Sequence, residues 1–199
     1  RLLGHITESI GNVYRQMGHL SEAIFYYDKS KKIINSWISD FRSMFILYSN
    51  YAEVYFLQEE FVKAKEEMEK VLDIIQNKGF QDLAMEMKYV EILLYLDEVK
   101  ESESILLKLE KLKKRELTPT QKSNYWFLLG FLEYKKNNYG NSQDFLQKAM
   151  LLADELGNEI LSSKTLVLLS IVFLKKYTIT TNLEELIEAD KCLEDIITY

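Results

Sequence analysis

A motif returns along this chain every 38 to 41 residues, which confines the fold to architectures made by stacking one unit on the next. Its clearest copy is Trp126, Leu129, Gly130, Tyr139, Ser142, Leu146 and Ala149; an earlier copy reads Ile10, Gly11, Tyr14, Gly18, Ala23, Tyr27 and Ser30. Two series of small residues share the period. Gly11, Ala52, Val90, Gly130 and Ser170 follow one another at steps of 41, 38, 40 and 40, and Ala23, Ala64, Ser102 and Ser142 at 41, 38 and 40. Small residues on two facing helices let the backbones approach, while larger neighbours fill the groove beside them. Tyr14, Tyr27, Phe61, Met68, Tyr139 and Leu146 are the expected fillers.

Apolar residues recur at helical spacing almost throughout, and no window alternates as a strand would. Seven glycines and one proline leave few chain breakers in 199 residues. The pattern predicts ten helices, at about 2–17, 20–36, 40–57, 60–77, 80–95, 98–114, 120–136, 139–156, 158–177 and 182–197. Gly18-His19, Asn77-Lys78-Gly79 and Asn137-Asn138 read as C-terminal caps, and Thr118-Pro119-Thr120 as a stop followed by a start. Lys175–Asn182 reads as a lengthened turn in the last pair.

Several function classes fare badly. A net charge of −6 opposes direct nucleic-acid contact, which needs a basic face. The longest apolar run, around Leu166–Leu174, is interrupted by Ser170 and falls short of a membrane span. The single cysteine, Cys192, sits on an expected inward stripe with Leu186, Ala189, Leu193 and Ile196 and reads as a small buried hydrophobe. His5 and His19 have no ligand partners at metal spacing, and no phosphate loop or nucleophile elbow is present. Glu66, Glu67 and Glu69 alternate with Lys63, Lys65 and Lys70 as on a solvated, ion-paired helix face. The basic run Lys111, Lys113, Lys114 and Arg115 suits a helix C-terminus. The expectation is a cytoplasmic chain that is not an enzyme and binds neither metal nor cofactor. Its start at Arg1 reads as that of a fragment.

The pattern resembles the tetratricopeptide repeat. Residues 123–156 carry it through Trp126, Leu129-Gly130, Tyr139, Leu146 and Ala149, with Ser142 where Ala is usual; residues 4–37 carry it through Ile10-Gly11, Tyr14, Gly18, Ala23 and Tyr27. The resemblance implies an all-α, right-handed α-solenoid of antiparallel helix pairs. It runs as a single array over 1–199, with repeats at 4–37, 45–78, 83–116, 123–156 and 158–197. The period of about 40 exceeds the family's 34-residue norm and is similar to that of bacterial peptide-sensing regulators of the Rap, NprR and PlcR group.

In such arrays the first helices form a concave wall, so the resemblance assigns inward-facing positions. The first pair supplies His5, Glu8, Asn12, Arg15 and Gln16, and the second Ser49, Asn50, Glu53 and Phe56. Met87, Lys88, Glu91 and Tyr95 follow, then Asn124, Phe127, Phe131, Tyr134 and Lys135. Of these, Asn12, Arg15, Asn50, Glu53, Lys88, Glu91, Asn124, Phe127, Phe131 and Tyr134 are the candidate peptide-binding set. Amides that both donate and accept suit an extended backbone, and the aromatics at i, i+4, i+7 suit an apolar pocket, or else simple internal packing. Some relatives clamp a chaperone's C-terminal carboxylate with two Lys, two Asn and an Arg. Here Asn12, Asn50 and Lys88 match in kind, but Glu8 and Ala84 stand where the lysines belong, which speaks against that ligand. The expected partner is a protein or a short peptide in the groove. The alternative is a ligand-sensing regulatory domain of a bacterial regulator that responds to such a peptide. The apolar tail Cys192, Leu193, Ile196, Ile197 and Tyr199 calls for further repeats or for a second chain, as in a homodimer.

Overall fold

A computed structural model describes residues 2–35, 41–112 and 117–198. The described residues form ten α-helices: α1 Leu2–Gln16, α2 Leu20–Asn35, α3 Phe41–Leu57, α4 Phe61–Lys78, α5 Leu83–Tyr95, α6 Val99–Leu112, α7 Pro119–Lys135, α8 Tyr139–Glu155, α9 Glu159–Thr180 and α10 Leu183–Thr198. The fold is all-α and built from helix pairs, as the resemblance implies. The chain divides into two compact units, Arg1–Leu96 and Asp97–Tyr199, with the boundary in the turn between α5 and α6. Trp37, most of the basic run (Lys113, Lys114 and Arg115) and the predicted ends of three helices lie outside the described residues.

In the N-terminal unit α1 pairs with α2 and α3 with α4, while α2 also packs on α3 and α4 on α5. The small positions do what the repeat requires. A Cβ on Gly11 would stand 2.5 Å from the Tyr27 ring, so only glycine lets α2 come this close. Ala23 and Tyr27 of α2 and Leu47, Tyr51 and Val54 of α3 form one buried cluster, and the Tyr27 and Tyr51 rings meet edge to face at 5.5 Å. Such a pair contributes about 0.5–1.5 kcal/mol beyond its buried area. The Tyr51 hydroxyl donates to Asp28 at 2.6 Å and the Tyr89 hydroxyl to Glu69 at 3.2 Å, the same bond repeated at two successive junctions.

In the C-terminal unit α7 pairs with α8, α9 packs on α8, and α10 folds back on α9. Gly130 repeats the role of Gly11: an added Cβ would lie 2.6 Å from Leu146, and the Ser142 hydroxyl donates to the Gly130 carbonyl at 2.7 Å. One further tie is shared with the first pair but exchanged in direction. Ser30 of α2 donates to the Gly4 carbonyl of α1 at 3.0 Å, whereas Ser123 of α7 donates to the Ala149 carbonyl of α8 at 2.8 Å. Each partner of the second bond lies 119 residues after its counterpart in the first.

A third periodic series becomes visible only in the backbone. Gly18, Glu59, Asp97 and Asn137, at steps of 41, 38 and 40, all take a left-handed φ of 59° to 78°. Each follows the last turn of a first helix. At three of them the next amide reaches back to the carbonyl five residues earlier: His19 to Tyr14 at 2.9 Å, Glu60 to Tyr55 at 2.9 Å and Asn138 to Glu133 at 2.9 Å. The turn geometry is fixed by these carbonyls, which would otherwise lack partners, so glycine is helpful there but not required.

Several expectations need correction. Tyr14, Phe61 and Tyr139 lie beside the turns and are only half-buried; Tyr14 stacks on Tyr26 at 5.2 Å and Phe61 on Tyr95 at 4.7 Å. Tyr27, Met68 and Leu146, in the middle of the second helices, are the fully enclosed fillers. Trp126, whose ring the repeat motif is expected to bury between repeats, is half-buried too, stacked on Phe145 of its own pair at 5.6 Å with the Lys148 ammonium 5.2 Å from its ring. The start of α5 falls at Leu83 and not at residue 80, because Asp82 caps it through the amides of Ala84 and Met85. Thr118 and Gln121 form a capping box that starts α7 at Pro119. The region 175–180 is helix, so α9 is extended and only Thr181 and Asn182 turn the chain.

Candidate functional site

The first helices of the N-terminal unit carry polar side chains that are tied to one another along α1, α3 and α5. Asn50 of α3 donates to Glu8 of α1 at 3.0 Å, and the His5 imidazole lies 3.8 Å from the second Glu8 oxygen. Burial pushes the Glu8 carboxyl above its usual range, opposed by His5 and by the Asn50 bond. Asn12 accepts from the Tyr27 hydroxyl at 2.7 Å. Burial likewise raises the Tyr27 phenol, against the pull of the neighbouring Arg15 guanidinium, whose buried Nε has no hydrogen-bond partner among the described residues. Between α3 and α5, Lys88 sits 3.1 Å from Glu53, 3.4 Å from Glu91 and 3.7 Å from the centre of the Phe56 ring.

Six of the candidate residues thus form one face: Asn12, Arg15, Asn50, Glu53, Lys88 and Glu91. Asn12, Arg15, Asn50, Glu53 and Lys88 are half-buried, so each keeps some surface in water, whereas Glu91 is buried. The amides are not idle, as free groups awaiting a ligand would be. Tyr27 and Glu8 each occupy part of their capacity, yet an amide offers two donors and two lone pairs, so bonding capacity remains. The role of Tyr27 was missed in sequence, where it reads only as a filler; the signal was a phenol at a position that Phe would fill equally well.

In the C-terminal unit the candidates behave differently. Phe127 is 4% exposed and Phe131 6%, so their rings offer a ligand almost no surface and belong to the packing. Phe131 lies 6.4 Å from Tyr134, which continues to Tyr139 at 6.0 Å. Tyr134 and Asn124 are half-buried, and Lys135 bonds Asp97 at 2.6 Å.

Chemistry of other kinds finds little foothold among the described residues. Burial, with help from Asp195 and Glu188, pushes the Cys192 thiol up to about 11, which keeps it protonated and poorly nucleophilic. No group of three or more His, Cys, Asp or Glu side chains there is placed to hold a metal ion, and no helix is long and apolar enough to cross a membrane. The face of α4 carries ion pairs as expected, Lys63 with Glu60 at 2.6 Å and Lys70 with Glu67. Glu69 is also engaged by Tyr89, so that flank of the helix is an interface.

With this geometry in view, comparison with known proteins is informative. Residues 8–36 match the family model of the tetratricopeptide repeat. That segment is therefore a repeat of this family, and the ten helices have a tetratricopeptide-like fold. The matched copy is the first and not the Trp126-bearing fourth; it keeps Gly18 and Ala23 where the fourth has Asn137 and Ser142. No curated protein matched the sequence. Among solved structures, a Rap protein complexed with the competence and sporulation factor superposes with a TM-score of 0.77 at 14% identity, over 98% of this chain and 55% of that one. BtubC from P. vanneervenii gives 0.67 at 17% identity, over 98% and 80%. A Podosopora anserina putative kinesin light chain with nearly identical TPR-like repeats gives 0.65 at 14% identity, over 96% and 95%. These likenesses establish the fold.

Proposed function

We propose that the chain is a protein- or peptide-binding module and that its partner lies along the first-helix face of the N-terminal unit. The observation that carries this reading is the tied row Glu8–Asn50, Asn12–Tyr27 and Glu53–Lys88. Side chains held by one another lose less freedom when a ligand arrives, which is the physical meaning of preorganisation. Half-buried amides and the half-buried Glu53 carboxylate, set beside Lys88 and Arg15, suit the backbone and charged side chains of an extended segment better than an apolar helix. No bond-making chemistry is assigned to it.

The test is a peptide array probed with the unaltered chain and with an Asn12→Ala, Asn50→Ala variant. Capture at least tenfold weaker, with a melting temperature that moves by only a few degrees, is the expected result. Equal capture would move the partner to another face.

A second reading, a ligand-sensing regulatory domain that answers a short peptide, is favoured by the Rap protein solved with a bound factor. It predicts that a peptide present at 100 times its dissociation constant stabilises the chain by ~2.7 kcal/mol. Binding without a change in hydrodynamic radius or in hydrogen exchange away from the site would favour the plain binding module.

A further inference from the structure

His5, Arg15 and Lys88 are the side chains that can carry positive charge on the first-helix face of the N-terminal unit, and two of the three have carboxylate partners. Lys88 is held between Glu53 at 3.1 Å and Glu91 at 3.4 Å, and His5 faces Glu8 at 3.8 Å. Arg15 is half-buried, and no carboxylate among the described residues pairs with it. Its guanidinium lies against the Tyr27 hydroxyl, and its buried Nε meets no acceptor among those residues. A guanidinium keeps its charge at any physiological pH and has five N–H donors and no acceptor, so the shortage is one of acceptors. Glu8 and Glu53 also lie near the Tyr27 hydroxyl, but Asn50 donates to Glu8 at 3.0 Å and Lys88 takes Glu53.

Asn12, one helical turn before Arg15, adds to the imbalance. Its carbonyl oxygen accepts from Tyr27 at 2.7 Å, so the capacity it keeps is chiefly that of its two N–H donors. The surroundings of Arg15 are internal to the array. One step of 41 residues further on stands Phe56, which meets Phe61 of α4 and Tyr95 of α5. This side of a first helix faces its own second helix and the next first helix. For Arg15 those neighbours are α2 and α3, which bring Tyr27 and Glu53 to it.

Resting on the reading that a partner lies along this face, we propose that Arg15 and Asn12 form a subsite for a carboxylate of that partner, from an Asp or Glu side chain or from a C-terminus. The two oxygens of a carboxylate match two N–H groups on one edge of a guanidinium, and the Asn12 amide donates to the same group. A neutral or basic group at that point would leave a half-buried charge uncompensated. Glu8, which speaks against the two-lysine clamp, is 5% exposed and tied to Asn50, and takes no part.

The probes that test this are heptapeptides of mixed sequence, arrayed through their N-termini and free of Asp and Glu at the mixed positions. One set has Glu at its centre and an amidated C-terminus, a second has Gln and an amidated C-terminus, and a third has Gln and a free C-terminal carboxylate. The unaltered chain should retain a carboxylate-bearing set at least about tenfold more strongly than the neutral set, as hydrogen bonds to charged groups allow. Whether that is the first set or the third names the source of the carboxylate. Arg15→Gln should bring it down to the neutral level and leave the neutral set unchanged. Arg15→Glu should invert the preference, toward a fourth set with Lys at the centre. Far-UV circular dichroism checks that each variant is helical, and the comparison of sets on the unaltered chain depends on neither. Equal retention of all sets, a preference that survives Arg15→Gln, or an Arg15→Glu variant that still favours the acid would overturn the subsite and leave the face as a binding surface. Retention of no set, or retention indifferent to Asn12→Ala with Asn50→Ala, would overturn the reading beneath it and the subsite with it.

Discussion

Alanine at Gly11 and alanine at Gly140 are the same chemical change in two helices, and the structure requires them to act in opposite directions. At Gly140 nothing lies within 4 Å of an added Cβ, so the methyl group enters open space. Glycine in a helix interior costs roughly 0.5–1 kcal/mol relative to alanine, and Gly140→Ala, in the first turn of α8, should recover part of that. At Gly11 the same methyl would lie 2.5 Å and 2.6 Å from two atoms of the Tyr27 ring and 3.2 Å from the Ala23 carbonyl oxygen. The ring has no room to retreat, being fully buried and edge to face with Tyr51. Overpacking of this kind costs about 1–3 kcal/mol, and displacing the ring also strains the Tyr27–Asn12 bond, worth about 1 kcal/mol. After subtracting the helix-propensity gain, Gly11→Ala should destabilise by about 1–3 kcal/mol. For a chain of this length that is a fall of roughly 2–4 °C in Tm per kcal/mol. Urea unfolding followed by circular dichroism gives the sign. Hydrogen exchange in α1 and α2 gives the location, which matters because repeat arrays need not unfold as one unit. Gly11→Ala as stable as Gly140→Ala would refute the claim that the small position sets the helix-to-helix distance.

Three further outcomes follow from particular side chains. Glu59 holds a φ of 60°, where an L side chain is strained by roughly 1–2 kcal/mol, so Glu59→Gly should raise the melting temperature despite the added chain entropy, and a lowered value would count against the turn reading. Because burial raises the Glu8 carboxyl, the folded chain holds that proton more tightly than the unfolded one. The resulting stability is full in acid and fades as pH climbs from the unfolded value through the raised folded one. Glu8→Gln should then be more stable than the parent at pH 7 and show a flatter stability–pH curve across that window; coincident curves would contradict the assigned cause. Cys192, buried with its thiol pushed up to about 11, should react with iodoacetamide at pH 8 many times more slowly in the folded chain than in urea, and equal rates would show that the thiol is exposed.

The fold was legible because close packing leaves its mark on residue size. Gly11, Gly130, Ala23 and Ser142 are small for a reason that acts at each position separately, so counting residues was enough to find the pairs. The turn series Gly18, Glu59, Asp97 and Asn137 was less visible: backbone carbonyls dictate that geometry, and side chains merely tolerate it. Helix ends shifted where caps such as Asp82 and Thr118 outweighed the apolar pattern. The candidate site was legible as a face but not as a network. Helical phase puts Asn12, Asn50 and Lys88 on first helices, yet which partner each one meets depends on register across four helices. Phe127 and Phe131 show the limit most plainly, since periodicity cannot tell an aromatic that lines a pocket from one that fills a core.

The exchanged hydroxyl ties have a consequence for how repeats are compared. In the first pair the serine is on the second helix and reaches Gly4; in the fourth it is on the first helix and reaches Ala149. One bond is kept while neither column keeps its residue. A comparison made column by column counts two differences between these pairs, although in both a serine hydroxyl ties the two helices at the same two places. Pairs of columns scored jointly would retain the signal.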